Sequence, residues 1–149
     1  MTALLRAARP TDAGATGMIL WRFHSETDWL PCLYSAAETI AFCGDMIDRG
    51  WMTVAERDGR VQGFIARDGQ EVCGLYLAPE ARGQGLGRML LDASKRRVDR
   101  LHLRSFAANA PARRFYAKAG FRLVATGNGA DNDENLPDIH YVWRKEAAA

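Results

Sequence analysis

The spacing of apolar residues switches between helical and strand-like periods along the chain. "LLRAA" at 4–8 reads as a short first strand. In 9–26, "RPTDAGATGMILWRFHSE", Ile19, Leu20 and Phe23 fall on one helical face behind Pro10 and a Thr11/Asp12 capping region. Pro31, within "DWLPCLY" at 28–34, interrupts that pattern. A second helix restarts at Ser35, which forms a capping box with Glu38, and Gly50 supplies its stop. The period then drops to two. "WMTVAE" at 51–56, "VQGFIA" at 61–66 and "EVCGLYLA" at 71–78 alternate as strands do. Asp-Gly pairs at 58–59 and 68–69 mark the hairpins of an antiparallel meander. The third of these strands changes parity: Leu75 and Leu77 share one face and Val72 takes the other, with Gly74 between them. A bulge is expected there, splaying the strand from its neighbour.

Helical spacing returns at 85–98, where Leu86, Met89, Leu90 and Ala93 form a stripe and Asp92 is placed to pair with Arg96. "LHLRSF" at 101–106 is a strand, so the unit from 71 to 106 is a parallel crossover. A fourth helix spans 109–120, with Asn109 near its N-cap, Pro111 in its first turn and Gly120 at its end. Strands at 121–127 and 139–144 close the chain around a polar loop at 128–138. The expected fold is a single α/β domain over 1–149, of α+β character. It has a mixed, mostly antiparallel central sheet of about seven strands and about four helices. The order is strand, two helices, three strands, helix, strand, helix and two strands.

Composition adds little to this: 48% apolar and 26% charged residues in 149 suit one soluble domain. No apolar run is long enough to cross a membrane, and the N-terminal residues lack the pattern of a secretion signal. Cys32, Cys43 and Cys73 are odd in number and widely spaced, so a disulfide framework is not expected and a cytoplasmic location is. The tail at 145–149 carries no pattern and is expected to fray. Charge distribution does change the picture. Net charge is +2, yet residues 82–122 hold eleven Lys/Arg against two Asp/Glu. Such a block is either a set of solvated helix faces or the seat of an anionic partner.

The block opens with "EARGQGLGRML" at 80–90, where Gly83, Gly85 and Gly87 lie between Arg82 and Arg88. No Gly-Lys-Ser/Thr follows, so it is not a Walker loop. The position of a third dinucleotide-fingerprint glycine is Arg88. What remains is a bare loop whose N–H groups converge on one anion at a helix N-terminus, with two arginines beside it. A pyrophosphate suits that arrangement. A tight strand-to-helix turn would use the same glycines.

"LYLAPEARGQGLGRMLL" resembles the acetyl-CoA motif of the GNAT N-acetyltransferase superfamily. The motif is Arg/Gln-x-x-Gly-x-Gly/Ala after a strand of the form apolar-x-apolar-x-Pro. Arg82, Gly85, Gly87, Leu75, Leu77 and Pro79 meet it. Asn109 and "FYAKAGF" at 115–121 resemble the second superfamily element. The element order matches the superfamily over nearly the whole chain.

The resemblance implies transfer of an acetyl group from acetyl-CoA to a primary amine by direct attack in a ternary complex. It implies cofactor contacts from Leu75, Tyr76, Leu77, Arg82, Gly83, Gln84, Gly85, Leu86, Gly87, Arg88, Asn109 and Tyr116. One backbone N–H of the splayed strand would polarise the thioester carbonyl. Lys118, Arg113, Arg114 and Arg122 are alternatives for the 3′-phosphate. Tyr116 matches the position of the acid that protonates the departing thiolate, whose reference pKa is ~8.5; a core tyrosine with a bonded hydroxyl is the other reading. An attacking lysine-like amine has a pKa near ~10.4 and must lose a proton first. Glu71 is the first candidate to take it, with Asp138 and His140 behind.

The acceptor pocket is expected from Trp29 and Tyr34, near Trp21, Phe23 and His24, and from Asp131, Glu134 and Asp138 in the acidic loop. Acidic groups with aromatics suit a cationic amine. His24, His102 and His140 have no metal-ligand spacing, and no metal is expected. Expected partners are a small-molecule or peptide amine and, as one arrangement, a second copy of the chain. Neither nucleic acid nor membrane is expected. A non-catalytic acyl-CoA-binding module, a longer acyl donor and a basic nucleic-acid binder are the competing readings.

Overall fold

A computed structural model describes residues 3–146. The end of the tail, 147–149, lies outside them. The elements are β1 (Leu4–Ala7), α1 (Ala13–Glu26), α2 (Ala36–Asp48), β2 (Met52–Arg57), β3 (Arg60–Asp68), β4 (Glu71–Leu77), α3 (Leu86–Lys95), β5 (Arg100–Phe106), α4 (Ala110–Lys118), β6 (Arg122–Gly127) and β7 (Asp138–Arg144). Single 3-10 turns stand at 10–12 and 79–81. The sheet order is β1-β2-β3-β4-β5-β7-β6, and only β4 and β5 run parallel. The element order, the mostly antiparallel sheet and the parallel β4–β5 crossover are those expected.

The sheet separates two cores. Ile19 and Leu20 of α1 and Cys43, Met46 and Ile47 of α2 pack on Met52, Val54 and Phe64. Gly17 lets α1 approach α2, because a Cβ there would lie 2.6 Å from Ile40 Cα. Across the sheet, Leu90 and Leu91 of α3 and Tyr116 and Ala119 of α4 pack on Ile65, Val72, Leu101, Leu103, Ile139 and Tyr141. The first core covers only the β2–β4 half. Among the described residues, the face of β5, β7 and β6 on that side bears no helix, and His102, Arg104, His140 and Val142 on it are partly or fully exposed.

Four local expectations are corrected. In α3 the buried positions are Leu86, Gly87, Leu90, Leu91 and Ser94, so Met89 faces solvent. Asp92 pairs with Arg88 (Nε–Oδ1 3.3 Å) rather than Arg96, which caps the helix end. Asp12 does not cap α1 through its side chain; it accepts from both terminal nitrogens of Arg6 (2.8 and 3.0 Å) and from the Arg9 amide (2.7 Å). The Arg6 hydrogen bonds hold its carboxyl below the usual range. The two hairpin turns also differ. Asp58 and Gly59 both have positive φ, whereas the second loop is Gly69-Gln70, with only Gly69 there.

The bulge in β4 is present one residue earlier than expected. Ala66 pairs with Gly74 and Arg67 with Val72, which leaves Cys73 as the extra residue. Across the other edge, β4 and β5 register only at Glu71–His102. Beyond that point the sheet opens.

Candidate active site

The opening between β4 and β5 has two mouths. One is a cavity of about 470 Å³ under the α3 loop, lined by Leu75, Tyr76, Leu77, Arg82, Gly83, Gly87, Asn109, Phe115, Tyr116 and, from the α1 end, Phe23, Thr27 and Trp29. The other, of about 160 Å³, lies toward the 128–137 loop and is lined by Cys73, Gly74, Arg104, Ser105, Phe106, Asn132 and Asp138. Phe23, Leu75, Tyr76, Asn109 and Tyr116 belong to both. They form the shared wall.

Backbone builds the larger mouth. Gly83 (φ 76°) and Gly85 (φ 85°) are left-handed, a conformation that costs other L-residues ~1–2 kcal/mol. Gly85 is the N-cap of α3, and the amides of residues 83–88 donate to no backbone carbonyl among the described residues. The Gln84 side chain is spent on the loop itself: Nε2 donates to Glu80 O (3.1 Å), and Oε1 accepts from Arg57. Gly87 brings α3 against α4, since a Cβ would stand 3.4 Å from Phe115. Leu86 turns its side chain into the core, leaving its amide for the loop. Arg82 is exposed on the cavity wall, whereas Arg88 is engaged by Asp92. On β4, the Ala78 amide bonds Gln62 O (2.8 Å), and alternation therefore turns the Leu75 and Leu77 amides toward the gap. Asn109 caps α4 by accepting from the Ala112 amide (3.2 Å), and capping and cavity lining coexist.

Tyr116 is 8% exposed and packs among Phe115, Phe121 and Tyr141, at 5.2, 5.4 and 5.9 Å between ring centroids. Its hydroxyl has no hydrogen-bond partner among the described residues, yet is not among the sealed, unpartnered polar atoms; it opens into the cleft. Burial, with Tyr76 second, raises its pKa, so the hydroxyl is held protonated. Tyr76 lies between Phe23 and Phe64, its pKa pushed up to about 12 by burial and then by Glu134.

Side chains from distant segments build the smaller mouth. Asp138 is buried at 6% exposure, and His140 Nε2 stands 3.7 Å from its Oδ1. A Cβ at Gly127, its partner on β6, would collide with that oxygen. Asn132 shapes the loop, donating to Leu136 O (2.8 Å) and accepting from its amide (3.1 Å). Tyr34 donates to Asp133 Oδ2 (2.6 Å), tying the α1–α2 connection to this loop. Trp29 sits on the larger cavity, edge-on to Phe106 at 5.7 Å. Glu134 is half-buried and close enough to His24 and Tyr76 to act on both. Asp131 is exposed and lines neither mouth. Glu71 is also outside both; it is exposed at the closed end of the gap, on an adjoining groove. Cys73, Arg104, Ser105 and Asn132 are not legible as site residues: the bulge exposes Cys73, the parting of β5 from β4 exposes Arg104 and Ser105, and the loop's internal bonds place Asn132. Among the described residues, no group of three or more His, Cys, Asp or Glu is arranged to hold a metal ion. No helix there is long and apolar enough to cross a membrane.

The acetyltransferase (GNAT) domain model matches residues 48–123. A peptidyl-lysine N-acetyltransferase of Escherichia coli, YjaB, is 34% identical over 93 residues, 62% of this chain and 63% of that protein. The match thus spans less than two thirds of that relative. The solution structure of apo YjaB superposes with a TM-score of 0.81 at 23% identity, covering 98% of this chain and 100% of that one. YncA of Salmonella typhimurium, solved with its cofactor acetyl-CoA, gives 0.74 at 21% identity over 100% of this chain and 97% of that one. A left-handed glycine loop opening α3, a bulged β4 parted from β5, and a family match that spans both lead to one assignment: this chain belongs to the GNAT acetyltransferase family.

Proposed function

We propose that the protein transfers an acetyl group from acetyl-CoA to a primary amine carried by a peptide or protein. The observation that carries this reading is the Tyr116 hydroxyl, held protonated in the wall shared by two mouths of one cleft. The larger mouth fits the cofactor. The free amides of 83–88 and Arg82 suit a diphosphate, and the inward amides of Leu75 and Leu77 suit an amide-bearing chain laid along β4. Acetyl-CoA, when bound, supplies an activated thioester.

The chain's own groups divide the remaining work. A β4 amide facing the gap donates to the carbonyl oxygen as it gains charge. Tyr116 gives its proton to the departing sulfur. Asp138, rather than Glu71, takes the proton of the incoming ammonium. It is the carboxylate that lines the smaller mouth, and Glu71 lies outside it. The narrow mouth admits a slender alkylamine. The similar peptidyl-lysine N-acetyltransferases support the same class of acceptor. With Cys32, Cys43 and Cys73 all free, a reducing cytoplasm is the location we assign.

The test is a free-thiol assay with acetyl-CoA and a panel of lysine peptides, polyamines, amino acids and aminoglycosides. Thiol release matched by one acetyl group on a peptide amine is expected. Tight cofactor binding with no thiol release across the panel would make the protein a binding module instead.

A further inference from the structure

The groove that holds Glu71 is not absorbed by this reaction. It measures about 520 Å³ and runs over the helix-free face of β5, β7 and β6. Arg100, His102 and Arg104 share that face of β5, and their partners on β7 are Arg144, Val142 and His140. Arg122 on β6 pairs with Val142 and extends the row. Arg100, Arg104, Arg122 and Arg144 are exposed, and among the described residues none makes an ion pair. The carboxylates on this side are Glu71 and its β3 partner Asp68 at one end and the buried Asp138 at the other. Val72, Cys73, Leu103 and Arg104 line both this groove and the smaller mouth of the cleft, so the two are continuous.

We propose that this face reads acidic residues flanking the acetylated amine, so that the preferred acceptor is a lysine in an acidic protein segment. The inference rests on the acetyltransferase reading. Arg104 stands at the mouth of the cleft. Arg100 lies four residues along β5, about 13 Å away at strand rise. An extended acceptor with its lysine in the cleft therefore brings a residue about four positions away over Arg100 and Arg144. Nucleic acid fits the face less well. Among the described residues the face's aromatics are Phe106 and the neighbouring Trp29, packed edge-on to one another at the cleft end, while Tyr141 packs in the core, so no ring lies free along the arginines for a base to stack on. A row of arginines on a polar sheet suits carboxylates spaced along an extended chain.

The experiment uses blocked, fluorescent nonapeptides with one lysine and, four positions to either side, Glu, Gln or Arg. Affinity is read by anisotropy and acetylation by thiol release. An exposed charge pair is worth a factor of roughly 1.5 to 5, so Glu peptides are expected to exceed Arg peptides by about tenfold in kcat/KM, with Gln between. The ratio should shrink toward one at high salt. In Arg100→Ala/Arg144→Ala it should also fall toward one, while the rate on Nα-acetyl-lysine amide, too short to reach the face, stays unchanged. Equal thiol release from all three peptides would overturn the inference and leave the acetyltransferase reading intact. A Glu preference that survives in the double variant would overturn it as well, as would tighter binding of a single-stranded oligonucleotide than of the Glu peptide. Glu-selective binding without thiol release from any peptide would support the face and overturn the transfer reaction.

Discussion

The two mouths of the cleft are made of different materials. The polar wall of the larger one is one continuous segment, 82–88, and one strand edge, both presenting backbone amides, with mostly apolar side chains of the α1 end and α4 opposite. The smaller one gathers side chains from α1, β4, β5, the 128–137 loop and β7. The Tyr34–Asp133 tie, which joins the α1–α2 connection to the loop that carries Asn132, spans 99 positions of sequence. Backbone donors are supplied by every residue except proline, so the amide wall of the larger mouth needs only conformations that glycine permits. The smaller mouth needs particular functional groups at particular ends of elements. The first can keep a motif while acceptors differ; the second sets which acceptor is taken.

The most damaging way to probe the contrast is Gly85→Asp. It forces a side chain onto φ 85° and places a carboxylate where the loop amides converge. Affinity for acetyl-CoA, measured by calorimetry, should fall roughly 100-fold or more, like charge replacing a charge-assisted site. The backbone strain of ~1–2 kcal/mol should lower the melting temperature by only a few degrees. Arg88→Ala sharpens this. Its guanidinium is taken by Asp92, so little affinity should be lost. A large loss there would mean that Arg88 side chain, not backbone, dominates the site.

Next in size is Tyr116→Phe, which removes one oxygen from the wall common to both mouths. A kcat loss of roughly 100-fold is expected, with cofactor affinity unchanged. Because burial raises the Tyr116 pKa, its acid form persists as pH rises past the ordinary tyrosine value of about 10. The wild-type rate should therefore show no alkaline loss below about pH 10. A falling limb between about 8 and 10 that Tyr116→Phe abolishes would place the hydroxyl in a wetter setting than its burial implies.

The same contrast explains what could be read from the chain. The glycine loop, the Asp58-Gly59 hairpin and the Ser35/Glu38 box are local signals that lie where the fold uses them, while the second hairpin loop and the β4 bulge each fall one residue away from their signal. Element order followed from them. Glu71 shows where local reading stops. It is a carboxylate on the expected strand, but the gap opens only beyond it. Asp138 reaches the cleft because β7 inserts between β5 and β6, a pairing between segments far apart. Asn132 is one polar residue among many in an acidic loop until its two bonds to Leu136 shape that loop.

Gly127→Ala tests whether the smaller mouth depends on side-chain placement as strictly as the larger depends on backbone. A Cβ at 127 would collide with Asp138 Oδ1 and push the carboxylate aside. Turnover should drop roughly 10-fold with donor affinity unaffected. Adding Asp138→Asn to this variant should cost much less than it does in the wild type, since the group is already displaced. Additive losses would show that Gly127 acts through the strand pairing and not through Asp138.

The smallest expected effect comes from Tyr34→Phe, which cuts the tie between the α1–α2 connection and the 128–137 loop. The bond is short, 2.6 Å to Asp133 Oδ2, but Tyr34 is 48% exposed and water competes for both groups. What is lost is order in the rim. The acceptor KM should therefore rise about two- to threefold while kcat and acetyl-CoA affinity hold, because an exposed bond exchanged with water is worth little. That split is the sharpest check on the division into two mouths. If removing one hydroxyl at the acceptor rim weakened cofactor binding, the α1–α2 connection would be acting on the larger mouth through Trp29, and the two would have to be treated as one site.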